Sequence, residues 1–514
     1  MTSPVKQEID SKYPPLAILG LLSNNYELPA LLKECLNRID KNKAELRVSF
    51  LSSIDGTLVT KCYGWLPNSI INPELLTILR KTELASMPDG FLRGLAKILG
   101  APLAPAYAPL EFFTSFFQAL GESEKGVFIL GGIENDTKNA AIKLHDKFNK
   151  LRLVGIATPP VFIQGENLIY ASERDNILVD QINSSNADVL FVNLGSSKQW
   201  IWLERVRHLL TVPFVLTIDQ SLYEIWDEQV SSKENSSQGK KGLEVIKPSP
   251  IQPSWSTKSL KYLKLVSMAL PLAYYQNLNR CIYKLLYSRK DTNRDFNSQL
   301  FISSDRTMVI IALPTRLDIT NLGLLKQKLE EAASHDVLVF DFKNVRHIQP
   351  EGFYLLIKTW QQRKTQNKEV YGFSPSSDME WLMKLNHSWD VFKNTFYDSV
   401  EKFISRLTVE GSTAFYDAFI QDDKLVTISL LGSLDNNVDY ANYLKKIVPI
   451  IGQKDCCIDF SYCTYIDNTG FIFLINLRKH LDSLQHNLIL GSVNNRMKKQ
   501  FRTSRLDKSF TFKE

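Results

Sequence analysis

The feature that most constrains this chain is a duplication in its C-terminal half. Residues 301–396 and 419–514 share one frame. Phe301-Ile302 recurs as Phe419-Ile420 and Leu317-Asp318 as Leu434-Asp435, while the stretch 337–357 (VLVFDFKNVRHIQPEGFYLLI) recurs as 455–475 (DCCIDFSYCTYIDNTGFIFLI). Asp341-Phe342 falls on Asp459-Phe460 and Gly352-Phe353 on Gly470-Phe471, both at an offset of 118 residues. That period is too long for a solenoid and means two tandem copies of one domain. Each copy predicts a strand (308–313; 425–431), a helix (322–332; 438–450), a short apolar strand (337–342; 456–460), a loop ending in Gly, a second helix (353–363; 471–484), a further strand (369–373; 487–490) and a final helix. Strands alternating with helices over about 100 residues describe a small α/β domain.

The first 290 residues alternate in the same way. Apolar strands are expected at 47–51, 126–130, 153–156, 189–194 and 214–218. Helical spacing fills the gaps, as at Phe91, Leu92, Leu95, Ile98 and Leu99 before Gly100. The expectation is a Rossmann-like, open, mostly parallel sheet with its ligand site at the carboxyl ends of the strands. The boundaries read as 1–228 for this domain, 229–295 for a Ser-, Lys- and Pro-rich linker with a basic amphipathic segment, then 296–400 and 410–514 for the two copies. A composition of 44% hydrophobic and 23% charged residues excludes a mostly disordered chain. A net charge of +6 is too mild to imply nucleic acid. The six cysteines form neither a metal spacing nor a disulfide framework, so a reducing, cytoplasmic setting is expected. Glu8 and Asp10 precede a short apolar run at 16–22, unlike a signal peptide, and no run approaches the roughly 18 apolar residues of a membrane span.

Three segments of the first block carry chemistry. The first runs from Asn72-Pro73-Glu74 to Pro88-Asp89-Gly90. Asp89 stands before a periodic helix, where it can be an N-cap or a general base that takes the proton of an attacking hydroxyl. The second is a strand ending Leu130-Gly131-Gly132 before Asn135-Asp136-Thr137, where glycines admit a ligand and a helix start offers N–H groups to an anion. The third is Asn193-Leu194-Gly195-Ser196-Ser197-Lys198-Gln199, a strand end with a cation and an amide suited to a diphosphate or a sugar hydroxyl, or else a capped surface turn.

In this order the segments resemble the WecG/TagA/CpsF family of glycosyltransferases, family 26, over roughly residues 25–225. The resemblance implies transfer of N-acetylmannosamine or a related sugar from a UDP donor to a lipid-linked or polysaccharide acceptor, with inversion, with no cofactor and no metal held by a DxD motif. Asp89 would be the catalytic base. Gly131, Gly132, Gly195, Ser196, Lys198 and Gln199 would line the donor site, and Ser52 or Ser53 would stand where the family has a Thr. The chain departs from the pattern in three places. Residues 102–110 (PLAPAYAPL) lack the family's Arg, Trp200 replaces the Glu after Lys-Gln, and residues 217–221 lack its glycines. A domain that binds a nucleotide sugar without turning it over, and that signals through protein interaction, is the alternative.

Between residues 245 and 290 there are eight Lys or Arg and no acid. Lys258, Lys261, Lys264, Arg280, Lys284, Arg289 and Lys290 flank an apolar run at 265–275. Such a segment can lie on anionic lipid at the inner face of a membrane or pack as a helix with a solvated basic face. The duplicated unit resembles the STAS domain of anti-sigma-factor antagonists, in which a loop of the type Asp-Ser-Ser-Gly is phosphorylated by a partner kinase. The second copy reads Asp467-Asn468-Thr469-Gly470, which puts Thr469 at the acceptor position; the first has Glu351 there, a fixed charge. The resemblance implies a regulatory protein or kinase as partner. Thr469 as a helix cap is the other reading.

Overall fold

The computed structural model describes residues 12–86, 90–131, 134–158, 172–194, 196–217, 255–287, 297–302, 307–409 and 415–513. The chain forms two compact units. One comprises Met1–Ile282 with the short segments Gln349–Leu356 and Leu382–Trp389; the other comprises Tyr283–Ile348, Ile357–Trp381 and Asp390–Glu514.

In the first unit, β1 (Leu16–Ile18) and β2 (Leu21–Ser23) form an antiparallel hairpin. A six-stranded sheet follows, built from β3 (Ser49–Ser53), β4 (Leu84–Ser86), β5 (Gly126–Gly131), β6 (Arg152–Ala157), β7 (Val189–Asn193) and β8 (Phe214–Thr217). Its order is β4-β3-β8-β7-β5-β6, and every pairing is parallel. The expected parallel α/β sheet is therefore observed. Strand β3 ends two residues later than its apolar run, so Ser52 and Ser53 belong to the strand, and β4 is an additional edge strand. The helix Pro109–Glu122 places Phe112, Phe113, Phe116 and Phe117 against the sheet, with Phe117 stacked on Phe191 at 4.9 Å. Each such ring contributes roughly 1.5–3 kcal/mol by leaving water. The Asn72-Pro73-Glu74 run is locally a helix start: Asn72 accepts from the Leu75 N–H at 3.0 Å, Pro73 needs no N–H partner, and Glu74 lies in the first turn.

The second unit is one ten-stranded sheet. Its strands are β9 (Asn297–Ile302), β10 (Thr307–Ala312), β12 (Val337–Asp341), β14 (Glu369–Phe373), β15 (Phe396–Tyr397), β16 (Phe415–Gln421), β17 (Leu425–Leu434), β18 (Asp455–Ile466), β19 (Leu488–Gly491) and β20 (Thr511–Lys513). The order is β15-β14-β12-β10-β9-β16-β17-β18-β19-β20, and β9 pairs with β16 where Ile302 meets Asp417. The two copies thus share a sheet, joined by the strands that begin each copy. A separate pair, β11 (Arg316–Leu317) with β13 (His347–Ile348), corresponds to the far end of β17 and β18, where Ser433 meets Tyr465 and Leu434 meets Ile466. The second copy carries that pairing as a continuation of its long strands, with register shifts after Ser429 and Gly432.

Candidate functional site

Those of the expected site residues that are described lie at or next to one edge of the parallel sheet. Ser52 and Ser53 close β3, Gly131 closes β5, and the helix Ser196–Val206, which carries Ser196, Lys198 and Gln199, follows β7. Asp89 falls between Ser86, the last residue of β4, and the helix Gly90–Ile98. The register aligns these ends, with Ser53 beside Ser86, Gly131 beside Asn193 and Val192 beside Thr217. This is the edge at which parallel α/β sheets bind ligands. Asp89, Gly132 and Gly195 lie outside the described residues, as do the side chains of Ser196 and Lys198.

Gly131 has a structural requirement of its own. Its φ is +99°, and a Cβ there would stand 2.2 Å from the Asn193 carbonyl oxygen. Only glycine allows β5 and β7 to end this close together. The Thr137 hydroxyl donates to the Gly131 carbonyl at 3.0 Å and ties the following helix to the strand end. Ser52 is fully buried, and its Oγ finds no hydrogen-bond partner among the described residues. Gln199 is fully buried as well.

Several residues at this edge carry no sequence signal. Asn24 and Asn25 follow the β1–β2 hairpin and are both buried. The Asn24 Oδ1 accepts from the Ala85 N–H at 2.9 Å and holds β4 in place. Asn25 accepts from the Ala104 N–H at 2.9 Å and donates to the Pro102 carbonyl at 2.6 Å, fixing the segment that lacks the family's Arg. Arg93, from the helix beginning at Gly90, donates to the carbonyl of Ala104 in that same segment. Burial pushes the Tyr107 phenol up to about 12, against a lowering hydrogen bond with Ser86, so the phenol stays protonated at the end of β4. The partners lie tens of residues apart in sequence, which is why periodicity and motif spacing do not reveal them. At the opposite edge of the sheet, Asp188 is buried and accepts from Lys43 Nζ at 2.6 Å and the Gly126 N–H at 2.7 Å. Burial alone would raise its pKa; these bonds hold it below the ordinary value. That carboxylate is a structural tie.

The basic segment is a helix, Trp255–Tyr287. One face is buried through Leu265, Met268, Ala269 and Leu272, and Lys264 Nζ donates to the Thr60 carbonyl at 2.7 Å. A Cβ on Gly56 would stand 2.5 Å from Leu265 Cδ1, so this contact is close. Another set of apolar residues is exposed, with Leu263 58%, Leu270 62% and Tyr274 71% accessible. Among the described residues no helix is long and apolar enough to cross a membrane.

In the second unit, the helix Asn468–Ser483 is capped by Asp467. Its Oδ1 accepts from the Thr469 N–H at 2.7 Å, the Gly470 N–H at 3.0 Å and the Thr469 hydroxyl at 2.5 Å. Burial would raise the Asp467 carboxyl, but these bonds hold it below the ordinary value. The cap is therefore Asp467, and Thr469 supports it. In the first copy the corresponding helix is Pro350–Thr365, and Glu351 is buried, with 1% exposed.

Comparison with known proteins bears on the first unit. Residues 16–225 match the glycosyl transferase WecG/TagA/CpsF family. The chain is also 24% identical over 184 residues to the N-acetylglucosaminyldiphosphoundecaprenol N-acetyl-beta-D-mannosaminyltransferase of Bacillus spizizenii. That alignment covers 34% of this chain and 66% of the relative, just under two thirds of its length. Residues 16–225 are thus similar to a glycosyltransferase domain of the WecG/TagA/CpsF type. The parallel sheet described above is the scaffold of that region.

Proposed function

We propose that the first unit transfers an N-acetylhexosamine-type sugar from a UDP-sugar to a lipid-linked acceptor. The observation that carries this reading is the convergence of the family-matched segments on the carboxyl edge of one parallel sheet. Asp89 removes the proton of the attacking acceptor hydroxyl. The helix starts after β5 and β7 offer N–H groups to the donor diphosphate, with Lys198 as the adjoining cation. Arg93, bonded to the segment where the family's Arg is missing, and the protonated Tyr107 within that segment supply donors to the same diphosphate. The exposed apolar and basic residues of the helix Trp255–Tyr287 bring this site to an anionic membrane surface, where a lipid-linked acceptor resides.

The duplicated sheet acts as a STAS-like regulatory module in this reading. Thr469 is its phosphorylation site. A phosphate there would replace the hydroxyl that donates to Asp467 and set two anions side by side at the helix start, changing the surface that a partner reads.

The decisive experiment is titration of the protein with UDP and UDP-N-acetylmannosamine, followed by turnover of Asp89→Asn. The variant should keep UDP affinity and lose about 10²–10⁴-fold in rate. Unchanged turnover removes Asp89 from the mechanism. UDP binding without turnover in the parent protein favours the sensing alternative, for which the missing Arg and the buried Trp200 speak. Retention on anionic liposomes should weaken by about 1 kcal/mol with each of Lys258→Glu and Lys261→Glu. Lys264 is kept out of that test because it is tied to Thr60.

A further inference from the structure

The shared sheet of the second unit bears a cavity of about 540 Å³ that the glycosyltransferase reading does not use. Its walls draw on matching positions of both copies: Asp341 with Asp459, Lys343 with Ser461, and Ser374 with Ser492. Tyr462 links the copies, since its hydroxyl donates to Asp341 Oδ2 at 3.3 Å while its ring meets Phe373 edge-on at 5.7 Å. We propose that this cavity binds a small, neutral, hydroxyl-rich molecule of the sugar or polyol class.

Four observations lead there. The volume lies in the range of small-molecule sites, roughly 300–1,000 Å³. Gln299 lines the cavity, is 7% exposed, and its Oε1 finds no hydrogen-bond partner among the described residues. A buried acceptor left in that state is costly, and a ligand hydroxyl would satisfy it. The acidic and basic side chains of the lining are Asp341, Asp459 and Glu401 against Lys343, a negative balance that disfavours phosphates and nucleotides. Serine hydroxyls and the amides of Asn344 and Asn494 both donate and accept. Ligand hydroxyls match that set, whereas an ammonium only donates and would leave the wall's own donors unpaired.

The test titrates the full chain, with UDP saturating the first unit, against glucose, N-acetylglucosamine, maltose, glucose 6-phosphate and spermidine. At least one neutral sugar should bind with a Kd below about 1 mM. Gln299→Met and, on the exposed strand irregularity, Ser461→Trp should each weaken it by about tenfold or more. Glucose 6-phosphate should bind at least about tenfold more weakly than glucose. No binding of any neutral sugar up to about 50 mM overturns the proposal. Binding that survives both variants, or a preference for spermidine, does so equally. Ser461→Trp keeps the test open if the buried Gln299→Met fails to fold. The outcome is separate from the glycosyltransferase reading, which stands or falls on UDP binding to the first unit.

Discussion

The two copies of the duplicated domain solve one problem with opposite chemistry. In the first copy, Arg363 is 4% exposed and donates to the carbonyls of His335, Asp336 and Glu369 at 2.7–3.1 Å. A buried cation there gathers carbonyl oxygens at the amino ends of β12 and β14. At the same position 118 residues on, the second copy has Leu481, fully buried in an apolar cluster. Its strand edge is held instead by the Asp455 carboxylate, which accepts from the Asn487 N–H at 2.8 Å. One backbone frame thus tolerates a buried guanidinium or a hydrocarbon in the same place, provided that each exposed peptide group finds a partner elsewhere.

Exchanging these residues is the strongest way to break the comparison. Leu481→Arg would bury a cation where the second copy has arranged no carbonyls, and should cost about 3–5 kcal/mol. Arg363→Leu takes the guanidinium donor from the His335 carbonyl and one of two donors from the Asp336 carbonyl, and should cost about 2–3 kcal/mol. Urea denaturation of the full chain reads both. If Leu481→Arg costs less than Arg363→Leu, the second copy already holds the acceptors that the structure assigns to the first.

Much of this architecture was legible in the residues, and the parts that were not share a cause. Strands β5, β7, β12 and β14 are apolar runs between polar or glycine residues, and they fall within a residue of where the pattern puts them. β9 and β16 were visible as repeated Phe-Ile pairs but not as strands, because Asn297–Ile302 (NSQLFI) is half polar and Gln299 turns toward the cavity. β4 spans three residues, too few to show alternation. The duplication announced two domains, whereas the strand pairing of Ile302 with Asp417 makes one sheet, a contact that a frame of 118 residues cannot express. At the carboxyl edge of the first unit's sheet, the glycine that ends β5, Gly131, was readable. Asn24, Asn25 and Tyr107 act through partners distant in sequence and were not.

A smaller difference lies at the helix starts. The first copy opens its helix with Pro350, whose ring fixes φ and leaves no N–H to satisfy. The second spends a carboxylate and a hydroxyl on the same turn. Asp467→Ala should therefore cost about 1 kcal/mol, and Pro350→Ala about 0.5 kcal/mol through the greater freedom of the unfolded chain. Thr469→Ala should cost a few tenths of a kcal/mol in stability and abolish kinase labelling of this region. Labelling that persists in Thr469→Ala would move the switch away from this loop.

The smallest effect is set by pH, and its sign follows from the two edges. The Asn487 N–H foremost, against a raising effect of burial, with further help from Asn487 and His486, holds the Asp455 carboxyl below its ordinary value. A depressed carboxyl contributes stability that is complete above its unfolded pKa, near 4, and that is lost as pH falls through the folded value. At the matching position of the first copy, the Glu369 N–H donates to the backbone carbonyl of Asp336 at 3.2 Å, a group that does not titrate. Arg363 also keeps its charge throughout the acid range. Between about pH 5 and pH 3, hydrogen exchange corrected for its intrinsic rate should show Asn487 losing protection by a few-fold while Glu369 holds, because an exposed carboxylate contributes only tenths of a kcal/mol. Asp455→Asn should remove the pH dependence at Asn487 and leave Glu369 unaffected. Equal loss at both amides would mean that acid loosens the shared sheet as a whole, and the two edges would then not be held independently.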